Sequence, residues 1–283
     1  VTVNPIPAAP TVSSTLSVCN GQTLNLTAST VAGATYSWTG PNGFTSSLQN
    51  PSISNVSSVN AGVYSVTVTV NGCTSPAATT TVTVNAIPSA PVAGSNSPVC
   101  PGQSIDLTAS NIVNATYTWT GPSAYSSNSQ NPSRLNAIAG YAGTYFVTAT
   151  VNGCTSAQAS TVVVVNPTPG TPIASSNSPV CTGNTINLSA TTVVGATYTW
   201  SGPNSFSANT QNASVSNAAL VNGGTYSVIA TVNGCQSAAG TTVVTVNSTP
   251  ATPVPTSNSP LCEGSTINLS VPAVGGATYA WTG

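Results

Sequence analysis

Cys19, Cys100, Cys181 and Cys262 follow one another at a step of 81 residues, and nothing else in this 283-residue chain narrows its fold as far. Trp38, Trp119, Trp200 and Trp281 keep the same step. So do Tyr64, Tyr145 and Tyr226, and Cys73, Cys154 and Cys235. A fixed period of this length means one supersecondary unit copied in tandem. The copies divide as residues 5–85, 86–166 and 167–247. Residues 1–4 read as the close of a preceding copy, because Val1-Thr2-Val3-Asn4 matches Val82-Thr83-Val84-Asn85, and 248–283 read as part of a fourth.

The residue types present exclude most chemistry. Asp106, Arg134 and Glu263 are the only charged side chains, each in a different copy, and there is no His. General acid–base catalysis needs titratable groups held together, so no catalytic residue can be named and the chain does not read as an enzyme. No His, carboxylate or short-spaced Cys set suggests a metal, and no motif suggests a cofactor. One Arg cannot make a nucleic-acid surface. Hydrophobic residues reach 40 %, enough to build cores, so a disordered chain is excluded. No apolar run approaches the ~20 residues of a membrane-spanning helix. With no initiator Met and no leader-like stretch, the expectation is an internal piece of something longer.

Within a copy the pattern alternates with period two. Leu24, Leu26 and Ala28 alternate with polar residues, as do Tyr64, Val66, Val68 and Val70. Thr35 to Trp38 reads as another strand, before the turn Gly40-Pro41-Asn42-Gly43. Thr11–Val18, Phe44–Gln49, Ser52–Val56 and Cys73–Val84 complete seven expected strands, with Asn71-Gly72 as a hairpin turn. Short strands with turns every ~8–12 residues predict an all-β fold, a tandem array of small antiparallel sandwiches. Pro-bearing joints such as Asn85-Ala86-Ile87-Pro88 are stiff. Fixed strand positions predict that Trp38, Trp119, Trp200, Tyr64, Tyr145 and Tyr226 are core. Phe44, Tyr125 and Phe206, after the Gly-Pro turn, are candidates for an exposed contact or for the rim of the core.

The run Asn60-Ala61-Gly62-Val63-Tyr64 and its copies at Tyr145 and Tyr226 resemble the tyrosine corner of immunoglobulin domains, with Trp38, Trp119 and Trp200 as the strand-C tryptophans. Tyr36-Ser37-Trp38-Thr39-Gly40-Pro41-Asn42-Gly43, Gln49-Asn50-Pro51 and Asn71-Gly72-Cys73-Thr74-Ser75 are similar to the Ig-like repeats of very large Bacteroidota surface proteins, adhesins associated with gliding motility among them. The resemblance implies an extracellular or cell-surface setting. It does not extend to the disulfide, since the positions that carry Cys in immunoglobulin domains are apolar here, Val66 on one strand and Leu26 or Ala28 on the other. In the topology the resemblance implies, Cys19 and Cys73 lie at opposite ends of the sandwich, roughly 25–40 Å apart at 3.3 Å per residue. A disulfide needs Cα atoms within about 7 Å. The leading expectation is therefore pairing between neighbouring copies, Cys19–Cys154 and Cys100–Cys235. The alternative is pairing within each copy, Cys19–Cys73, Cys100–Cys154 and Cys181–Cys235. Cross-links between chains and free thiols rank below both.

The copies keep similar Gly-Pro turns and Asn-Gly hairpins, and no copy carries a distinctive loop, which favours spacer duty over recognition. The expected function is a structural segment of an extracellular stalk, fibre or filament. Its expected partners are other copies of itself, because strand edges nearly free of charge and Pro discourage pairing poorly. The alternative is an adhesin that binds surface glycans or neighbouring cells directly.

Overall fold

The computed structural model describes residues 1–283, which separate into two compact units, Val1–Asn166 and Pro167–Gly283. The first unit holds two repeats, each with its own core. The second holds a third repeat with its core, and residues 248–283.

In the first repeat the strands are β1 (Val12–Ser14), β2 (Ser17–Cys19), β3 (Leu24–Ala28), β4 (Thr35–Thr39), β5 (Thr45–Ser46), β6 (Ser52–Ile53), β7 (Gly62–Val70), β8 (Cys73–Thr74) and β9 (Ala78–Asn85). One sheet runs β1-β3-β6. The other runs β2-β9-β7-β4-β5, with β8 paired to β7. Leu24, Leu26 and Ala28 of the first sheet and Tyr36, Trp38, Tyr64, Val66 and Val68 of the second face each other in one core. The alternating residues face solvent, so the period-two pattern becomes a two-layer immunoglobulin-like sandwich.

Three details differ from the sequence reading. The expected single strand over Thr11–Val18 is two. β1 pairs antiparallel with β3, and β2 crosses to the other sheet, where it runs parallel to β9 with Ser17 opposite Thr83. The sandwich is therefore not wholly antiparallel, because a strand entering at an edge takes its direction from the chain path. The strand expected over Cys73–Val84 is broken between Thr74 and Ala78. There the Ser75 hydroxyl accepts the Val68 N–H at 3.1 Å and donates to the Pro76 carbonyl at 2.9 Å. The segments 44–49 and 52–56 shrink to two-residue strands because the chain between them crosses from one sheet to the other.

The second repeat places Ile105–Ala109 between Ala93–Ser95 and Ser133–Arg134, and Thr116–Gly121 between Tyr125–Ser127 and Gly143–Val151. Its parallel pair is reduced to one bridge, Val99 to Val165. The third repeat restores it as Val180–Cys181 beside Val246–Asn247. Beyond these, Thr256–Ser257 pairs with Leu269–Ser270. No helix is long and apolar enough to cross a membrane.

Candidate functional site

Trp38, Trp119 and Trp200 are at most 1 % exposed, and Tyr64, Tyr145 and Tyr226 are wholly buried. A buried indole N–H needs an acceptor. Each Trp finds it on the crossover segment, Nε1 donating to the carbonyl of Gln49, Gln130 or Gln211 at 3.1–3.3 Å. The same glutamines reach back with Nε2 to the carbonyls of Ala28, Ala109 and Ala190 at 2.8–2.9 Å. This polar tie joins the crossover to β3 and its counterparts, where the sandwich has no disulfide.

Each corner tyrosine donates its hydroxyl to the carbonyl four residues earlier, Tyr64 to Asn60 at 2.8 Å, Tyr145 to Tyr141 at 3.0 Å and Tyr226 to Asn222 at 2.9 Å. The Gly-Pro turn closes over the ring. A Cβ on Gly40 would lie 2.4 Å from Tyr64 Cδ1, and one on Gly62, at φ +139°, would lie 2.8 Å from Pro41 Cγ. Phe44, Tyr125 and Phe206 are half-buried and set their rings edge-on to the corner tyrosines at 5.4–5.5 Å. They sit at the rim of the core.

The cysteines build the contact between the first two repeats. Cys19 and Cys154 are joined by a disulfide, with Cα atoms 5.6 Å apart. Beside it the Asn85 side chain donates to the Asn152 carbonyl at 3.1 Å and to the Ser17 hydroxyl at 2.7 Å. The Asn85 carbonyl accepts the Asn20 N–H at 2.8 Å. One period earlier Asn4 donates to the Asn71 carbonyl at 3.2 Å. Cys100 and Cys235 each take part in a disulfide rather than standing as thiols.

Pairing within a copy is overturned. Cys19 and Cys154 are used by each other, which removes Cys19–Cys73 and Cys100–Cys154. Cys181 is a thiol, as are Cys73 and Cys262, which removes Cys181–Cys235. The reason is length. Cys19 lies beside Asn85, at the end of β9 that meets the start of β7, whereas Cys73 follows the far end of β7. Nine strand residues put roughly 30 Å between those ends.

Asn85, Gln49 and Ser75 enter the sequence analysis only as parts of a joint or of the resemblance, with no bonding role for them or for their copies, among them Ser156 and Ser237. Their signal was present, since each recurs at the 81-residue step. Nor are the copies equivalent in their loops. In the second repeat Arg134 donates from Nη1 to the Pro122 carbonyl and to the Tyr145 hydroxyl, both at 2.9 Å. Its Cζ lies 3.4 Å from the Tyr141 ring centroid and 4.9 Å from that of Tyr125. Asp106 is held elsewhere, by Asn96 and Ser104 at 3.2 and 3.1 Å. No three His, Cys, Asp or Glu side chains converge.

No protein-family model and no curated protein matches the chain. Solved structures of tandem immunoglobulin-like domains are similar to it at low identity. The ectodomain of mouse nectin-like molecule 4 is 14 % identical with a TM-score of 0.34, over 87 % of this chain and 99 % of that one. Drosophila OTK domains 3–5 are 12 % identical with a TM-score of 0.36, over 86 % and 100 %. Three N-terminal domains of the outer capsid protein Hoc of bacteriophage RB49 are 14 % identical with a TM-score of 0.36, over 87 % and 100 %. At these values the likenesses carry no argument about function.

Proposed function

We propose that this chain is a structural segment of an extracellular stalk, fibre or filament, of the kind formed by the Bacteroidota surface proteins its repeats resemble. The repeats are 5–85, 86–166 and 167–247. The observation that supports the reading is the covalent staple between neighbouring repeats, Cys19–Cys154, with the Asn85 latch beside it. A bond placed between domains leaves each core to its own packing and restrains the angle between them. By the 81-residue step the proposal extends to a second staple of the same kind, Cys100 with Cys235. Disulfides of this kind belong to an oxidising compartment outside the cytoplasm.

Other copies of the chain are the expected partners. β5 covers β4 only at Trp38 and Thr39, so Thr35–Ser37 form an open strand edge with no charge and no Pro, the kind of edge that pairs with another chain. The second reading, repeats that bind glycans directly, is favoured at one place, the Arg134 cluster. Non-reducing peptide mapping with a protease other than trypsin tests the staple. A linked Cys100–Cys235 peptide is the expected result, and a peptide linking Cys100 to Cys154, or Cys19 to Cys73, would end the proposal. Electron micrographs then separate single beaded strands from laterally joined filaments.

A further inference from the structure

The second repeat departs from its neighbours at four positions that meet in space. Where the first and third repeats have Ile53 and Val215, it has Arg134. Phe44 and Phe206 give way to Tyr125, Asn60 and Asn222 to Tyr141, and Asn42 and Asn204 to Ser123. The four residues come from three separate segments. Arg134 lies over both tyrosine rings, and the Ser123 hydroxyl donates to the Gly140 carbonyl, next to Tyr141, at 2.8 Å. The exchange removes something useful to the fold. Asn60 and Asn222 accept the N–H groups of Ser57 and Ala219 at 2.9 Å, and a tyrosine side chain in that place cannot. Placing a cation at the rim of an apolar core also opposes folding unless it is well partnered. A change that costs the fold at two points, yet assembles one cluster, points to a ligand.

The fold uses only one nitrogen of Arg134, and both of its acceptors, the Pro122 carbonyl and the Tyr145 hydroxyl, are neutral. The donors on Nε and Nη2 have no protein partner. Because no buried side-chain nitrogen in the protein lacks a partner, these donors are not sealed from solvent. They form a planar fork matched to a carboxylate. The half-buried rings of Tyr125 and Tyr141 flank the guanidinium, and the Ser123 hydroxyl lies next to Tyr141; aromatic rings and hydroxyls are groups suited to a sugar.

We infer that the Arg134–Tyr125–Tyr141 cluster is a binding site for a carboxylated saccharide, with the guanidinium holding the carboxylate. An acidic peptide fits less well, since a run of carboxylates calls for several cations and this chain has one. The site goes beyond the passive role proposed above and does not depend on it, because it lies within one repeat.

The test titrates the whole chain, by calorimetry at low salt, with a galacturonate hexamer, a neutral glucose hexamer and a hexaglutamate peptide. Saturable binding of the galacturonate hexamer at one site is expected, at least tenfold weaker in Arg134→Ile, a residue the first repeat already carries at this position. The triple variant Phe44→Tyr, Ile53→Arg, Asn60→Tyr in the first repeat is expected to double the stoichiometry, which keeps the test decisive if Arg134→Ile unfolds its own repeat. No saturable galacturonate binding overturns the proposal. So does equal binding by folded Arg134→Ile, or binding of the neutral hexamer or of hexaglutamate as tight as that of galacturonate.

Discussion

A single contact explains why glycine stands before the turn proline in all three complete repeats. Gly121 lies under the Tyr145 ring, where an added Cβ would come within 2.5 Å of Cδ1. Gly121→Ala must displace a buried ring that carries the corner hydrogen bond, and overpacking of this kind costs about 1–3 kcal/mol. Thermal unfolding followed by near-UV circular dichroism should show that loss in the second repeat, with the other two unchanged. The corner tyrosines also set the alkaline limit. Burial raises the phenols of Tyr64 and Tyr226 above the ordinary 10.0. The folded state therefore keeps them neutral after the unfolded chain has begun to ionise, so this contribution is intact below pH 10 and is lost as pH rises through the raised values. With Asp106 and Glu263 as the only carboxylate side chains, a denaturation series should show little change between about pH 5 and 8 and a steep fall above 10. The Trp and Tyr positions were legible in the sequence because they recur at a fixed step on alternating strands. The reason for Gly121 was not, since the ring it touches is 24 residues away along the chain.

At the scale of the strand, the sequence shows which face is buried but not which neighbour is chosen. Alternation in Tyr64–Val70 placed β7 in the core without ambiguity. The switch of β1 to β2 between sheets was not legible in the first repeat, where Leu16-Ser17 carries no breaker. The later copies mark the same place with Ser97-Pro98 and Ser178-Pro179. The break before β9 was hidden for a different reason. Ser75 looks like one more exposed strand serine, yet it is 5 % exposed and its hydroxyl stands in for a strand carbonyl. Ser156 does the same for the Ala149 N–H at 3.0 Å. Ser156→Ala leaves that donor buried without an acceptor, at a cost of about 1–3 kcal/mol. Hydrogen exchange at the Ala149 amide should accelerate in this variant, while the equivalent Val68 amide in the first repeat stays protected. Equal rates would mean that water fills the gap and that the serine is dispensable.

Across the whole molecule, near-absence of Lys and Arg removes the sites at which trypsin-like proteases act and leaves one informative bond. Arg134 is the only Lys or Arg, so trypsin has one place to cut, Arg134–Leu135. Leu135 is 69 % exposed, but the Arg134 side chain is held between Tyr125 and Tyr141 and must leave both rings to enter a protease pocket. Cleavage then reports the opening of the second repeat, and when reclosing is fast its rate follows the population of the open form. That population is tied to the first repeat by Cys19–Cys154, which closes a loop of 135 residues and adds about 2–4 kcal/mol if unstrained. If the staple stabilises both partners, Cys19→Ala with Cys154→Ala should raise the trypsin rate at Arg134 by tenfold or more. The Cys73→Ala variant, which removes a thiol and no bridge, should leave it unchanged. An equal rate in the stapled and unstapled chains would mean that the second repeat opens without its neighbour, and that the disulfide sets only the angle between them.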